Sequence, residues 1–80
     1  MYDKLFNVIS VLIGIPIEDL NEDSSHGTVP YWDSLKHMSL ILTLEEEFEV
    51  SFTDEEISRI GSIRDMIEIL TKKGVPVEKL

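Results

Sequence analysis

Apolar residues recur three and four positions apart in several stretches of this chain, and residues that start or stop helices stand at the ends of those stretches. Leu5, Val8, Ile9 and Leu12 share one face of a turn of about 3.6 residues, which predicts a helix from Asp3 to Ile13, stopped by Gly14 and Pro16. Residues 15–32 hold no period and carry Pro16, Asn21, Asp23, Ser24, Ser25, Gly27 and Pro30, so a long connection is predicted there. Loops beyond about 12 to 15 residues are uncommon in compact domains and tend to be functional. Ile15, Ile17, Leu20 and Val29 are expected to pin this one to the core. A second helix is predicted from the N-cap Asp33 to about Glu49, followed by a short extended link over residues 50–52. Thr53 and Glu56 have the spacing of a capping box that opens a short third helix, closed by Gly61. Ser62 with Asp65 opens a fourth, carrying Ile63, Met66, Ile67 and Leu70 and ending at Lys72, Lys73 and Gly74. Residues 75–80 read as a frayed tail. The pattern predicts an all-α, four-helix bundle with a long first loop and a short third helix, one domain over residues 1–80 without internal repeats.

The second helix is unusual in having two apolar faces. At about 100° per residue, Leu40, Ile41, Leu44 and Phe48 fall within roughly a quarter of its circumference, joined by His37, and form the expected core stripe. Leu35, Met38 and Leu42 cluster on nearly the opposite side, flanked by Ser34, Glu45 and Glu49. Either the long loop or the third helix covers this second stripe, or it is an exposed apolar patch rimmed by carboxylates, as a transient docking surface would be.

Composition narrows the function classes. Eighty residues allow one small core with little mass left to wall off a substrate pocket, which disfavours self-contained catalysis. A hydrophobic fraction of 42% with 29% charged residues fits a globular fold rather than a disordered chain. With no cysteine, disulfides and thiolate metal sites are excluded. The apolar stretch over residues 8–17 is broken by Ser10, Gly14 and Pro16, is shorter than the roughly 18 residues of a membrane span, and lacks the basic start of a signal peptide. A cytoplasmic monomer is the expectation. Sixteen acidic against seven basic residues give a net charge of -9, which repels nucleic acid and anionic membranes and favours basic protein surfaces as partners. The same acidity also serves simply to keep a small protein soluble.

Ser34 falls at the first helical position after Asp33, where backbone N–H groups lack intrahelical partners and the helix dipole favours negative charge. A phosphate ester on its oxygen would sit in a favourable field, although serines at helix starts mostly serve as caps.

Asp33-Ser34-Leu35, followed by Leu40, Leu44, Glu45-Glu46-Glu47-Phe48, Thr53-Asp54-Glu55-Glu56 and the segment 63–70, resembles the acyl carrier protein family over nearly the whole chain. The tripeptide alone is unspecific; with the acidic triplet and phenylalanine at the correct distance it is a strong signature. The resemblance implies that the four-helix bundle is acyl-carrier-like and that Ser34 is the attachment site of 4'-phosphopantetheine, transferred from coenzyme A by a separate phosphopantetheinyl transferase. The terminal thiol of that arm would hold an acyl or aminoacyl group as a thioester, making the chain a carrier and not an enzyme. Leu35, Met38, Leu42, Glu45 and Glu46 match positions presented to acyl-loading and acyl-transfer partners, Lys36 is counted with these recognition residues, and Asp33 matches the acid that assists the transferase. Two places depart from carriers of fatty acid synthesis, which have acidic residues where this chain has Lys36 and Ser39. Pro30-Tyr31-Trp32 stands where small residues are common. These departures point to a stand-alone carrier of a specialised pathway. The competing class is an unmodified acidic helical adaptor that uses the Leu35, Met38 and Leu42 patch.

Other combinations carry less. Ser34 and His37 lie at i and i+3 and invite a nucleophile and base reading, but no acid is placed to orient the imidazole and no oxyanion hole is evident. His26 and His37 lack close ligand spacing, and neither Glu45 to Glu47 nor Asp54 to Glu56 fits a calcium loop, so no metal is expected. Trp32 directly precedes the N-cap; it is either a hydrophobic staple packing on Lys36 or His37, or an exposed aromatic used in recognition.

Overall fold

The computed structural model describes residues 2–80, and three of the four α-helices among them start at a side chain that accepts an open amide. The described residues form α1 (Asp3–Ile13), α2 (Ser34–Phe48), α3 (Asp54–Arg59) and α4 (Ile63–Lys72), with 3-10 turns at Ile17–Asp19 and Val77–Lys79. The all-α expectation and the order of the four helices hold. Leu5, Ile9 and Ile13 of α1, Leu40, Ile41 and Leu44 of α2, and Ile63, Met66, Ile67 and Leu70 of α4 make one core with Trp32, Phe52 and Ile60. Helix α3 has no fully buried residue and is held by its ends. Thr53 Oγ1 accepts from the Glu56 amide at 3.1 Å, and Glu56 Oε1 accepts from the Thr53 amide at 2.9 Å.

The start of α4 anchors the long first loop. Its first two amides, those of Ile63 and Arg64, donate to the carbonyls of Ser24 (3.0 Å) and Glu22 (2.8 Å), and the third, that of Asp65, donates to Ser62 Oγ. Three open donors of the helix are therefore satisfied, two of them by loop backbone. Arg64 adds an ion pair with Asp23. Burial pushes the Asp65 carboxyl up, but the amides of Gly61 and Ser62 and the Ser62 hydroxyl more than offset this and hold it below the usual carboxylate range. Of the four apolar pins expected in the loop, Leu20 is buried and Ile15 and Val29 pack against the core, whereas Ile17 is exposed. Ile17 begins a 3-10 turn at the surface, and the backbone bonds to α4 take over the anchoring.

The frayed tail is a correction. Leu80 is 2% exposed and belongs to the core cluster, and its carbonyl accepts from the amide of Leu5. Helix α1 begins after Tyr2 without a side-chain cap, so the Leu5 amide would otherwise be open; the tail closes it. The polar residues Glu78 and Lys79 obscured this in the sequence, because the burial involves only the last side chain and one carbonyl.

Trp32 is 1% exposed, and its indole N–H donates to His37 Nδ1 at 3.1 Å. The structural reading of this residue is therefore the one the fold uses. Trp32→Ala removes a large buried side chain together with that bond, and a loss of about 3 to 5 kcal/mol is expected in urea unfolding followed by circular dichroism. A change within the error of the method would place Trp32 outside the core.

Candidate functional site

Helix α2 is set in place by its first residues. Asp33 takes an extended conformation and accepts the Lys36 amide on Oδ1 at 2.8 Å, so it is the N-cap, and Ser34 is the first helical residue. Ser34 is exposed. The amides of Ser34 and Leu35 have no acceptor within the helix, and the positive end of its dipole lies at the serine oxygen.

The second apolar stripe is not covered. Leu35 is 77% exposed, Leu42 58% and Met38 45%, while His37, Leu40, Ile41 and Leu44 on the other face are buried and Phe48 is half-buried. Neither the loop nor α3 lies over Leu35, Met38 and Leu42, which answers the question left open by the pattern. Of the remaining candidate recognition residues, Asp33 and Glu46 are exposed. Lys36 and Glu45 are half-buried and have partners within the chain. The Lys36 ammonium donates to the carbonyl of Ile13 at 3.2 Å, capping the end of α1, where a cation suits the dipole. Glu45 Oε2 accepts the Phe52 amide at 2.8 Å and so holds the link between α2 and α3. No spacing rule reveals either contact, since each joins residues that the fold alone brings together.

His37 lies beneath this surface. The indole of Trp32 can only donate, so His37 Nδ1 must accept; Nε2 then carries the proton and donates to the Ile60 carbonyl at 3.0 Å. Both ring nitrogens are committed, so His37 has no lone pair for the Ser34 hydroxyl, and the nucleophile and base reading falls. His26 packs its ring 4.7 Å from that of His37. Among the described residues no group of three or more acidic or histidine side chains could hold a metal ion.

Residues 3–70 match the family model described as a phosphopantetheine attachment site. The chain is 31% identical over 71 residues to the acyl carrier proteins of Chlorobium phaeovibrioides and Chlorobium luteolum, covering 89% of this chain and 91% of each relative. It is 30% identical over 70 residues to the acyl carrier protein of Clostridium acetobutylicum, with 88% and 91% covered. The chain belongs to the acyl carrier protein family. The family acts as carrier and not as catalyst, and its domain takes 4'-phosphopantetheine covalently. The head of α2 fits that group: it offers an exposed hydroxyl, two first-turn amides and a favourable dipole for the phosphodiester. When bound, the arm supplies a thiol on which an acyl group is held. Tyr31, exposed and in a left-handed conformation just before this carrier's Trp32 and Asp33, was not singled out by periodicity. The one signal available was Pro30 ahead of it, a residue that favours tight turns.

The environment of His37 makes stability depend on pH. Burial lowers its pKa from the ordinary 6.5; the bond to the Ile60 carbonyl acts in the opposite direction, and the charge of His26 lowers it further. The unfolded chain therefore binds the proton more readily, so this contribution is complete above pH 6.5 and is lost as pH falls from there toward the depressed value. The thermal midpoint of the wild type is expected to fall more steeply as pH drops below 6.5 than that of a His37→Gln variant. Parallel curves would remove His37 as the cause.

Proposed function

We propose that this acyl carrier bears 4'-phosphopantetheine on Ser34 and delivers acyl or aminoacyl thioesters between enzymes of a specialised biosynthetic pathway in the cytoplasm. The observation that carries the reading is the exposed Ser34 at the first position of α2, next to the uncovered Leu35, Met38 and Leu42. In the attachment step the Ser34 oxygen forms a bond to the phosphorus that bears pantetheine in coenzyme A. The bond from that phosphorus to the adenosine nucleotide breaks, and the serine proton leaves with a base of the transferase. Asp33 keeps one carboxylate oxygen on the Lys36 amide, which leaves the other for the transferase and its magnesium.

The pathway assignment rests on charge. Lys36 and Ser39 stand where carriers of fatty acid synthesis present acids, and the Lys36 ammonium is tied to Ile13 instead of being offered to a partner. Basic docking surfaces would then meet this carrier through Glu46 and Glu49 at the far end of α2, both exposed. No helix among the described residues is long and apolar enough to cross a membrane, which accords with the proposed location.

Two measurements test the reading. Incubation with coenzyme A, magnesium and a broad-specificity phosphopantetheinyl transferase is expected to add the mass of one phosphopantetheine to the wild type and none to Ser34→Ala. A folded wild type that gains no mass would leave the unmodified adaptor as the better account, and addition to Ser34→Ala would move the site elsewhere. Met38→Glu is expected to change unfolding free energy by no more than about 1 kcal/mol while impairing acyl transfer. If that variant unfolds, the outer face of α2 belongs to the core.

A further inference from the structure

We propose that Tyr31 is a recognition contact for the phosphopantetheinyl transferase, its ring held out beside Ser34 to enter an apolar pocket of that enzyme; this rests on Ser34 being the attachment site. The backbone is the first observation. The Trp32 amide donates to the Val29 carbonyl at 3.3 Å, closing a four-residue turn with Pro30 second and Tyr31 third. Tyr31 has φ 70°, so the turn follows the type II pattern, in which the third position calls for glycine or asparagine. A tyrosine there is held in a conformation that bulky side chains avoid.

The ring gains nothing inside the molecule to offset that strain. Tyr31 is 76% exposed and makes no hydrogen bond or ring contact with other described residues. The turn needs the positive φ in order to bury Trp32 and present Asp33 as the N-cap, and glycine would provide it without strain. What tyrosine adds is an amphipathic ring in solvent, the kind of side chain that anchors protein interfaces.

Its surroundings select the partner. The Lys36 ammonium is drawn to Ile13, and Ser39 is neutral, so the chain neighbours of Ser34 offer Tyr31 and Leu35 as exposed apolar groups with Asp33 as the acid. Glu46 lies twelve residues along α2, about 18 Å away. Enzymes that act on the end of the arm can stand off from the serine. The transferase must bring a phosphorus atom within bonding distance of Ser34 Oγ, and the Cα of Tyr31 lies at most about 11 Å from that of Ser34. Its surface therefore meets Tyr31, and an apolar pocket there replaces the charge pairing that Lys36 and Ser39 do not provide.

Steady-state kinetics of phosphopantetheine transfer, with the apo carrier as varied substrate, test this on wild type, Tyr31→Gly and Tyr31→Phe at a temperature where all three are folded. Tyr31→Gly is expected to raise KM about tenfold with kcat within about twofold, and Tyr31→Phe to stay within about twofold of wild type. The unfolding midpoint of Tyr31→Gly should be no lower than that of wild type, since the strain is relieved. An unchanged KM for Tyr31→Gly overturns the proposal, and a lowered midpoint overturns its premise that the ring has no internal role. A Tyr31→Phe variant as impaired as Tyr31→Gly overturns the apolar pocket. Wild type that takes no phosphopantetheine, or Ser34→Ala that does, defeats the assignment of Ser34 itself and is told apart in the same assay.

Discussion

The arrangement around Ser34 depends on one buried chain of hydrogen bonds, from the Trp32 indole to the His37 ring and from that ring to the Ile60 carbonyl. It ties the junction of the long loop and the first turns of α2 to the residue that closes α3, distant in sequence. A buried polar group without a partner costs about 1 to 3 kcal/mol, so the three groups hold one another in a single mutual arrangement. Only the neutral ring with its proton on Nε2 completes the chain, because the indole cannot accept and the carbonyl cannot donate. The side chain most suggestive of catalysis in the sequence is thus the one the fold can least release. Among the described residues no buried side-chain nitrogen or oxygen lacks a partner, which agrees with a core whose polar groups were placed as a set.

With Trp32 drawn inward, the residues on either side of it face solvent. Asp33 turns its carboxylate to the first turn of α2 and Ser34 follows at the surface, while Tyr31 is left on the outside of the turn. The inner face of α2 can then be wholly apolar apart from His37, and the outer face is free to carry Leu35, Met38 and Leu42. An exposed stripe of this kind weakens no core contact. It is a liability for self-association, and the net charge of -9 opposes that liability by keeping copies apart.

The helices were legible in the sequence because their signals are local. The Thr53 and Ser62 capping boxes, the Asp33 N-cap and the Gly14 terminus each act within four residues, and all four stand where spacing placed them. The two-faced α2 was legible for the same reason, since helical geometry converts position directly into direction. What escaped was the hydrogen bonding between distant segments. The bond from the Leu5 amide to the Leu80 carbonyl, the attachment of Ser24 and Glu22 to α4, the grip of Lys36 on Ile13 and that of Glu45 on Phe52 all pair groups whose proximity is a product of the fold. For the same reason Lys36 and Glu45 read as surface charges: a sequence shows what a side chain is and not where its far end is held.

Those two inward attachments alter how the charge of this carrier acts. Sixteen acidic residues suggest a uniformly negative partner surface, but several are engaged within the chain: Glu45 on Phe52, Glu56 on Thr53 and Lys73, Asp65 on the start of α4, and Glu22 and Asp23 on Arg64. On the outer face of α2 the exposed acids Glu46 and Glu49 lie at the end remote from Ser34. At physiological ionic strength fields between exposed charges fade over about 8 Å, less than half the roughly 18 Å that separate Glu46 from Ser34 along the helix. In the proposed function these acids would therefore affect encounter and orientation and exert little force on the serine. On the proposed function, close approach there would be governed by apolar contact, which has no reach but is sensitive to shape. On the proposed function, a carrier visiting several enzymes would benefit from this division, because acids at one end would draw basic surfaces in while the apolar end near the serine would decide which of them can seat.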